Sequence, residues 1–154
     1  MPVTENARFS DPVPLLREDF PACADLYRRA FAGSPWNEQW TQDQSLAILD
    51  FFAAHPGYQG YKIVTAAGEP AGFLMARYIF PFRDFRIDEL VIAPAFQGQG
   101  LGTRLMAHAE AVAAALGAEK VSLRTQAQSP AEEFYRGLGY DASAKGVHMD
   151  KRIA

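Results

Sequence analysis

The sequence has little of what several protein classes need. Cys23 is the single cysteine among 154 residues, so no disulfide can form within the chain. There is no apolar run near 18 residues and no secretory pattern at the start. Basic residues are outnumbered, and the net charge of −3 argues against nucleic acid or an anionic membrane as a partner. We therefore expect a cytoplasmic protein with no nucleic-acid and no membrane partner.

The composition is that of an ordinary globular protein. Hydrophobic residues make up 49% and charged residues 21% of the chain. A chain of this length can bury about two thirds of its unfolded surface in one core. We find no internal repeat, low-complexity tract or linker, so the sequence predicts a single domain over residues 1–154.

Two amphipathic helices are predicted in the first 60 residues. One has Asp19 as its N-cap and ends at Gly33, and the other starts with a capping box between Thr41 and Gln44. The loop Ser34–Trp40 between them holds both tryptophans and Glu38. Large aromatic side chains in a loop either pack it down or line a pocket, and the sequence leaves both interpretations open.

From Tyr61 onward the pattern changes to strands and two further helices. A meander of three strands leads into a glycine-rich turn and a helix that ends at Gly117. The next strand should return parallel to the third. The last helix has Ser129 as its N-cap and Glu132 closing a capping box. The predicted strands are Tyr61–Ala66, Ala71–Phe80, Phe85–Ile92, Lys120–Thr125, Tyr140–Ala142 and Val147–Ile153, with an edge strand near Pro14–Arg17 before them.

The glycine-rich turn is the most informative stretch. The apolar run Leu90–Ala93 is stopped by Pro94, and the turn then opens the third helix. The first backbone N–H groups of a helix lack partners, and the helix dipole favours an anion there. Glycines would let a pyrophosphate approach this backbone closely. The candidate anion-binding residues are Gln97, Gly98, Gln99, Gly100, Leu101, Gly102 and Thr103.

Two other glycine-rich phosphate motifs do not fit this turn. A P-loop ends in Gly-Lys-Ser/Thr, whereas Gly102 is followed by Thr103 and Arg104. A dinucleotide fingerprint needs the spacing G-x-G-x-x-G and an acid at the end of the next strand, and Glu119 instead opens that strand. A structural bend without a ligand is the alternative.

Two motifs together resemble the GNAT N-acetyltransferases. Gln97–Gly102 is similar to that family's acyl-CoA signature, Gln/Arg-x-x-Gly-x-Gly/Ala. Ser129–Tyr140 is similar to the family's later motif, with a small-residue helix start, Phe-Tyr and then Leu-Gly-Tyr. The resemblance covers most of Tyr61–Ile153. It implies an α+β fold with a mixed, mostly antiparallel twisted sheet of about six to seven strands flanked by four helices.

The resemblance also implies acetyl-CoA as co-substrate, without a metal, and roles for individual residues. The backbone of Leu90, Val91 and Ile92 would pair with the pantetheine arm, and its N–H groups could polarise the thioester carbonyl. Gln128 stands where the family often has an Asn that contacts CoA. Tyr135 matches the tyrosine that protonates the departing thiolate. These residues are expected to serve direct transfer of acetyl to a primary amine.

A base is needed because only the uncharged amine attacks a thioester. The candidate is Glu89, which strict alternation places on the same face as Ile87 and Val91. A carboxylate in a central strand is costly unless it is functional or paired. Alternation puts Asp88 on the opposite face, where it could substitute as the base. The structural alternative for Glu89 is an ion pair with Arg77, Arg86 or Arg124.

The acceptor is not identified by any motif. Trp36 and Glu38 are candidate substrate-binding residues, and the acceptor could be a small-molecule amine or a protein amine. A homodimer is possible, because dimers are common in the family. A non-catalytic acyl-CoA-binding module, a sensor or partner subunit, is the second hypothesis, because it needs the glycine turn but neither Glu89 nor Tyr135. A nucleotide-binding domain of another class is the third.

Overall fold

The computed structural model describes residues 8–143 and 145–154. The chain divides into two compact units, one that ends at Arg124 and one that begins at Thr125. The described part of the first unit contains three α-helices and one sheet. Its helices are α1 (Phe20–Ala32), α2 (Gln42–Ala53) and α3 (Leu101–Ala115), and its strands are β1 (Val13–Pro14), β2 (Tyr58–Val64), β3 (Pro70–Ile79), β4 (Asp84–Ile92) and β5 (Lys120–Leu123).

The sheet of the first unit has the strand order β1-β2-β3-β4-β5. The first four strands are antiparallel neighbours, and β5 runs parallel to β4. A parallel return needs a crossover, which α3 provides between β4 and β5. The predicted meander and its parallel return are therefore confirmed, although some strand bounds differ by up to three residues.

Of the two predicted N-terminal caps in the first 60 residues, one is confirmed and one is wrong. The capping box of α2 is confirmed, since Thr41 Oγ1 accepts the Gln44 N–H at 3.1 Å and Gln44 Oε1 accepts the Thr41 N–H at 2.9 Å. Asp19 does occupy the N-cap position of α1, but its side chain caps no amide of that helix. Its carboxylate instead accepts the Leu16 N–H and the Lys62 ammonium, at 2.8 Å and 2.7 Å. The predicted capping of α1 by the Asp19 side chain is therefore wrong.

The sheet is packed on both faces. Phe73, Met75 and Val91 belong to a buried cluster with side chains of α1 and α2. Alternation turns Leu74 and Ala76, both fully buried, to the opposite face. That face is covered by α3, which contacts β2, β3 and β4. A residue of β4 can therefore face either the α1–α2 layer or the α3 layer.

The second unit is described by itself and contains one helix, α4 (Pro130–Gly137). Ser129 caps it, because its Oγ accepts the Glu132 N–H at 3.2 Å. The Glu132 carboxylate does not close the predicted box on Ser129. It accepts the Gln128 N–H instead, at 2.6 Å, which fixes the backbone just before the helix.

Two predicted strands are absent from the described part of the second unit. Residues 138–143 and 145–154 contain no strand, so the sheet has five strands rather than six to seven. The segment near the C-terminus alternates apolar and polar residues, yet Val147, Met149 and Ile153 are 83% to 96% exposed. Alternation produces a strand only where a neighbour accepts the backbone hydrogen bonds and covers the apolar side chains.

None of the helices described is long and apolar enough to cross a membrane.

Candidate active site

The turn between β4 and α3 depends on glycine conformation. Gly98 and Gly100 have φ values of 77° and 81°, in the left-handed region that L side chains rarely adopt. Gly100 is the N-cap of α3, and within the described chain no side chain caps this end. The N–H of Arg104 makes the first helical bond, to Gly100 O, so the amides before it have no helical partner. Residues 97–100 and Thr103 are exposed, so the turn presents backbone amides that are open to an anionic group.

Both flanks of this turn are tied to the N-terminal segment. Phe96 lies in a short 3-10 turn ahead of the glycines and packs edge-on against Phe9, with ring centroids 5.3 Å apart. On the helix side, Arg104 Nη2 donates to Ser10 O at 2.9 Å. These contacts join distant parts of the chain and were missed by sequence reasoning, which detects only local patterns. They hold the turn in place while its amides stay open.

The second half of β4 extends beyond its parallel neighbour. β5 pairs with Asp84–Ile87, and no strand of the described chain pairs with the same edge of β4 from residue 88 onward. The Ala93 N–H donates to Ala71 O at 2.8 Å, on the β3 side. Alternation then turns the N–H groups of Leu90 and Ile92 toward the open edge and that of Val91 toward β3. The open edge therefore presents backbone donors that lead into the glycine turn.

A β-bulge in β4 decides where the acidic residues point. Met75 of β3 pairs with Glu89, but the next residue, Ala76, pairs with Ile87, so Asp88 is an extra residue. Glu89 lies opposite Met75, whose face packs on α1 and α2. Ile87 lies opposite Ala76 and faces the α3 layer. The prediction that Ile87 and Glu89 share a face is wrong, because strict alternation does not survive a bulge.

Asp88 also lies on the α1–α2 side, contrary to the prediction. Its carboxylate accepts two hydrogen bonds from Arg77, at 2.6 Å and 2.8 Å. The Arg77 guanidinium lies 5.6 Å from the ring centre of Phe52 on α2. Asp88 is therefore held in a bidentate ion pair and is poorly placed to accept a proton from a substrate. The pair also engages Arg77, which sequence analysis had offered as a partner for Glu89.

Glu89 itself contacts α1. The Tyr27 hydroxyl donates a long hydrogen bond to Glu89 Oε1, at 3.4 Å. Burial raises the pKa of Glu89 to about 8; the charges of Asp88 and Glu38 also raise it, while the bond from Tyr27 lowers it. A carboxylate with a pKa near the working pH can accept a proton and release it again, as a general base must.

Tyr27, which contacts this carboxylate, belongs to an aromatic cluster with Phe31, Trp36 and Trp40. Tyr27 has its ring centre 4.6 Å from Phe31 and 6.3 Å from Trp40, and Phe31 lies 5.5 Å from Trp36. Tyr27 is buried, and the other three are half-buried. Both tryptophans pack toward α1, as the packing interpretation of the loop predicts, and the pocket interpretation stays a prediction. Their remaining surface is open to solvent.

Glu38 completes the group. Trp40 Nε1 donates to Glu38 Oε2 at 2.6 Å, and the Glu38 N–H donates to Phe31 O at 2.8 Å. Burial raises the pKa of Tyr27, and Glu89 and Glu38 raise it further. The Tyr27 hydroxyl thus contacts the Glu89 carboxylate, and the negative charge of Glu38 acts on both groups. The fold thus brings together Glu89, Glu38 and Trp36, which were predicted from the sequence, and adds Tyr27, Phe31 and Trp40.

The second unit contains two of the predicted site residues. Gln128 directly precedes Ser129, the N-cap of α4, and Tyr135 lies in the last turn of that helix. Gln128 has a φ of 56° and an exposed side chain, and its N–H is held by Glu132. Tyr135 is half-buried. Its ring centre lies 5.1 Å from that of Phe134 and 6.0 Å from that of Tyr140. These contacts fit packing beside Phe134, and the role of an acid stays a prediction.

No metal site is evident in residues 8–143 and 145–154, where no three His, Cys, Asp or Glu side chains come together suitably.

Comparison with known proteins is informative at three levels. A model of the acetyltransferase (GNAT) family matches residues 20–140. Streptothricin acetyltransferase of Streptomyces lavendulae is 35% identical over 81 residues, which are 52% of this chain and 43% of that protein. The chain thus spans less than half of the length of this relative.

Solved structures share the fold. The ribosomal-protein-S18-alanine N-acetyltransferase of Escherichia coli has a TM-score of 0.73 at 20% identity, over 88% of this chain and 79% of that one. The aminoglycoside N-acetyltransferase AAC(6')-Iy, in complex with CoA, has a TM-score of 0.73 at 14% identity, over 97% and 99%. The family model covers most of the chain, including the glycine turn, Glu89 and α4, and we conclude that this protein belongs to the GNAT acetyltransferase family.

Proposed function

We propose that the protein transfers an acetyl group from acetyl-CoA to a primary amine by direct attack in a ternary complex. The observation that carries the proposal is the Glu89 carboxyl. It is half-buried, its pKa is about 8, and it adjoins Leu90, whose N–H faces the open edge of β4. A proton acceptor beside a backbone donor is what amine attack on a thioester requires.

The open edge and the turn would hold the co-substrate. The amides of Leu90 and Ile92 suit pairing with the amide groups of the pantetheine arm. The predicted pairing of the Val91 N–H with this arm is not retained, because that N–H points to β3 and the Val91 side chain is buried in the core. The exposed amides of the glycine turn suit the pyrophosphate. From the family resemblance we also assign a CoA contact to Gln128.

Two groups of the first unit would carry out the reaction: the Glu89 carboxylate would accept a proton, and the Leu90 N–H would stabilise negative charge. An alkyl ammonium must lose a proton before its nitrogen can attack, and Glu89 accepts that proton directly or through water. The Leu90 N–H is aimed toward the edge where negative charge would develop on the carbonyl oxygen. Acetyl-CoA supplies the activated acetyl group. The nitrogen forms a bond to the acetyl carbon, and the thiolate leaves.

Tyr135 is proposed to return a proton to that thiolate. Tyr135→Phe is expected to lower kcat about tenfold and to leave the Kd for acetyl-CoA unchanged, because the ring stays and only the donor is lost. A thiol is a fair leaving group, which limits the effect. The measurement is steady-state thiol release beside a calorimetric titration. Unchanged kcat would mean that Tyr135 serves only to pack against Phe134.

Trp36 and Glu38 are proposed to bind the acceptor. Glu38→Gln is expected to raise KM for a cationic amine about fivefold, since a partly exposed charge pair is lost. It should also move the acid limb of kcat/KM to lower pH, because the Glu38 charge raises the pKa of Glu89. The check is a pH series with one amine that is charged and one that is neutral at the assay pH. Equal losses for both amines would contradict the assignment.

The proposed function is tested by calorimetric titration with acetyl-CoA, with ATP and NAD as controls, followed by a thiol-release screen of amines. Micromolar binding of acetyl-CoA alone, with release that depends on an amine, is the expected result. Binding without release for any amine would favour a non-catalytic acyl-CoA-binding module. The similar proteins are named for a streptothricin, an aminoglycoside and a protein alanine, so the screen should include small polyamines and peptides.

A further inference from the structure

We propose that Tyr27 is a positioning residue for the proposed base: its hydroxyl fixes the direction of the Glu89 carboxylate and stabilises its ionised form. This inference rests on the function proposed above. Tyr27 lies on α1, outside both sequence motifs, and it is not among the site residues predicted from the sequence.

The position of the Tyr27 hydroxyl is set by packing. The side chain is 5% exposed and belongs to the buried cluster between α1, α2 and the sheet. Its ring contacts Phe31 and Trp40 of the aromatic cluster. A ring held on two sides has little freedom to swing its hydroxyl away. This packing holds the hydroxyl beside Glu89 Oε1, at 3.4 Å.

No cation of the described chain takes the place of this donor. On β4, Asp88 faces the same side; it is paired with Arg77 of β3, and its negative charge raises the pKa of Glu89. The loop contributes the negative charge of Glu38. The two cations of α1, Arg28 and Arg29, are paired with Asp25. Among the groups that face Glu89, only the Tyr27 hydroxyl favours the charged carboxylate.

The hydroxyl acts as a donor and not as a second base. Burial, Glu89 and Glu38 together raise the pKa of Tyr27 far above its ordinary value. The phenol therefore keeps its proton at every pH at which Glu89 titrates. One carboxylate oxygen is engaged by Tyr27, and the other is left for the acceptor ammonium or a water that bridges to it. Tyr27 would thereby determine which oxygen receives the proton.

The test is the pH profile of kcat/KM for Tyr27→Phe, measured on the full chain with an amine that the screen has identified. We expect the acid limb to move up by about 0.5–1 pH unit, which lowers kcat/KM at pH 7 by about 3–10-fold. Above the limb the variant should come within about twofold of the wild type. Glu38→Gln should move the same limb in the opposite direction.

Tyr61→Phe is the matched control. Tyr61 pairs with Leu74 on β3, its ring contacts His108 of α3, and its hydroxyl donates to Gln59. The same atom is thus removed on the other face of the sheet, and the limb should not move. An equal loss at every pH in Tyr27→Phe, or a limb that stays in place, would overturn the proposal. Failure of the proposed function is distinguishable, because Glu89→Gln would then stay active or the wild type would release no thiol.

Discussion

Glu89→Gln is expected to lower kcat/KM by about 100- to 1,000-fold at pH 8, because the amide cannot accept the proton that the attacking amine must lose. General acid–base catalysis contributes about 10²–10⁴ in rate, and water can recover part of this. The substitution keeps the size and shape of the side chain. The residual activity should also lose the acid limb that the titration of Glu89, with a pKa of about 8, produces in the wild type.

Binding and stability separate this loss from misfolding. The Kd for acetyl-CoA should be unchanged, since Glu89 faces the α1–α2 side and not the glycine turn. The folded pKa of Glu89 lies above the ordinary 4.5. The stabilisation linked to it is therefore fully present below pH 4.5 and is lost as the pH rises through 8. Glu89→Gln has no titrating group at this position. As the pH rises from 4.5 to 8, its melting temperature should therefore rise relative to that of the wild type. A variant with more than a tenth of wild-type activity would contradict the role of base.

Gly100→Ala is expected to weaken acetyl-CoA binding by about 10- to 100-fold. A side chain at φ 81° costs about 1–2 kcal/mol. The backbone can relieve that strain only by turning the amides at the start of α3. Losing one charge-assisted hydrogen bond, at about 1.5–3 kcal/mol, accounts for the expected range. Calorimetric titration of the variant with acetyl-CoA measures it directly.

Gly68→Ala is the control, because Gly68 has nearly the same conformation with φ 84° and lies in the β2–β3 turn. At both glycines, an added Cβ would meet nothing within 4 Å. The two substitutions should therefore lower the melting temperature to a similar extent, since the strain is alike. Only Gly100→Ala should weaken binding. Equal Kd values for the two variants would show that the glycine turn is structural and binds no pyrophosphate.

Local features were readable from the sequence because they depend on neighbouring residues. The glycine turn, the box at Thr41 and the cap at Ser129 each involve a few consecutive residues whose conformational preferences are strong. The strand order followed from the short connections and from the helix between β4 and β5. Asp19 marks the limit of such reading. The sequence placed it correctly, but the Lys62 ammonium on β2 takes its carboxylate.

The candidate site was only half readable, because its parts meet through tertiary contacts. Tyr27 looks like one more member of the apolar stripe of α1, and nothing local indicates that it faces Glu89, 62 positions away. In the same way, no local pattern indicates that the side chains of Phe31 and Trp40 contact Tyr27. The C-terminal strands failed for a related reason. An alternating pattern specifies which side chains would share a face, and it cannot supply the neighbour that the strand needs.

The extra residue at Asp88 gives β4 two alternation phases. Before the bulge, the side chains of Phe85 and Ile87 face α3. After it, those of Glu89 and Val91 face α1 and α2. A substitution at position 88 would leave this offset in place, whereas deleting the residue would bring both halves into one phase. Either Glu89 and Val91 or Phe85 and Ile87 would then turn to the wrong layer. The length of this strand is therefore constrained more tightly than the identity of any one residue in it.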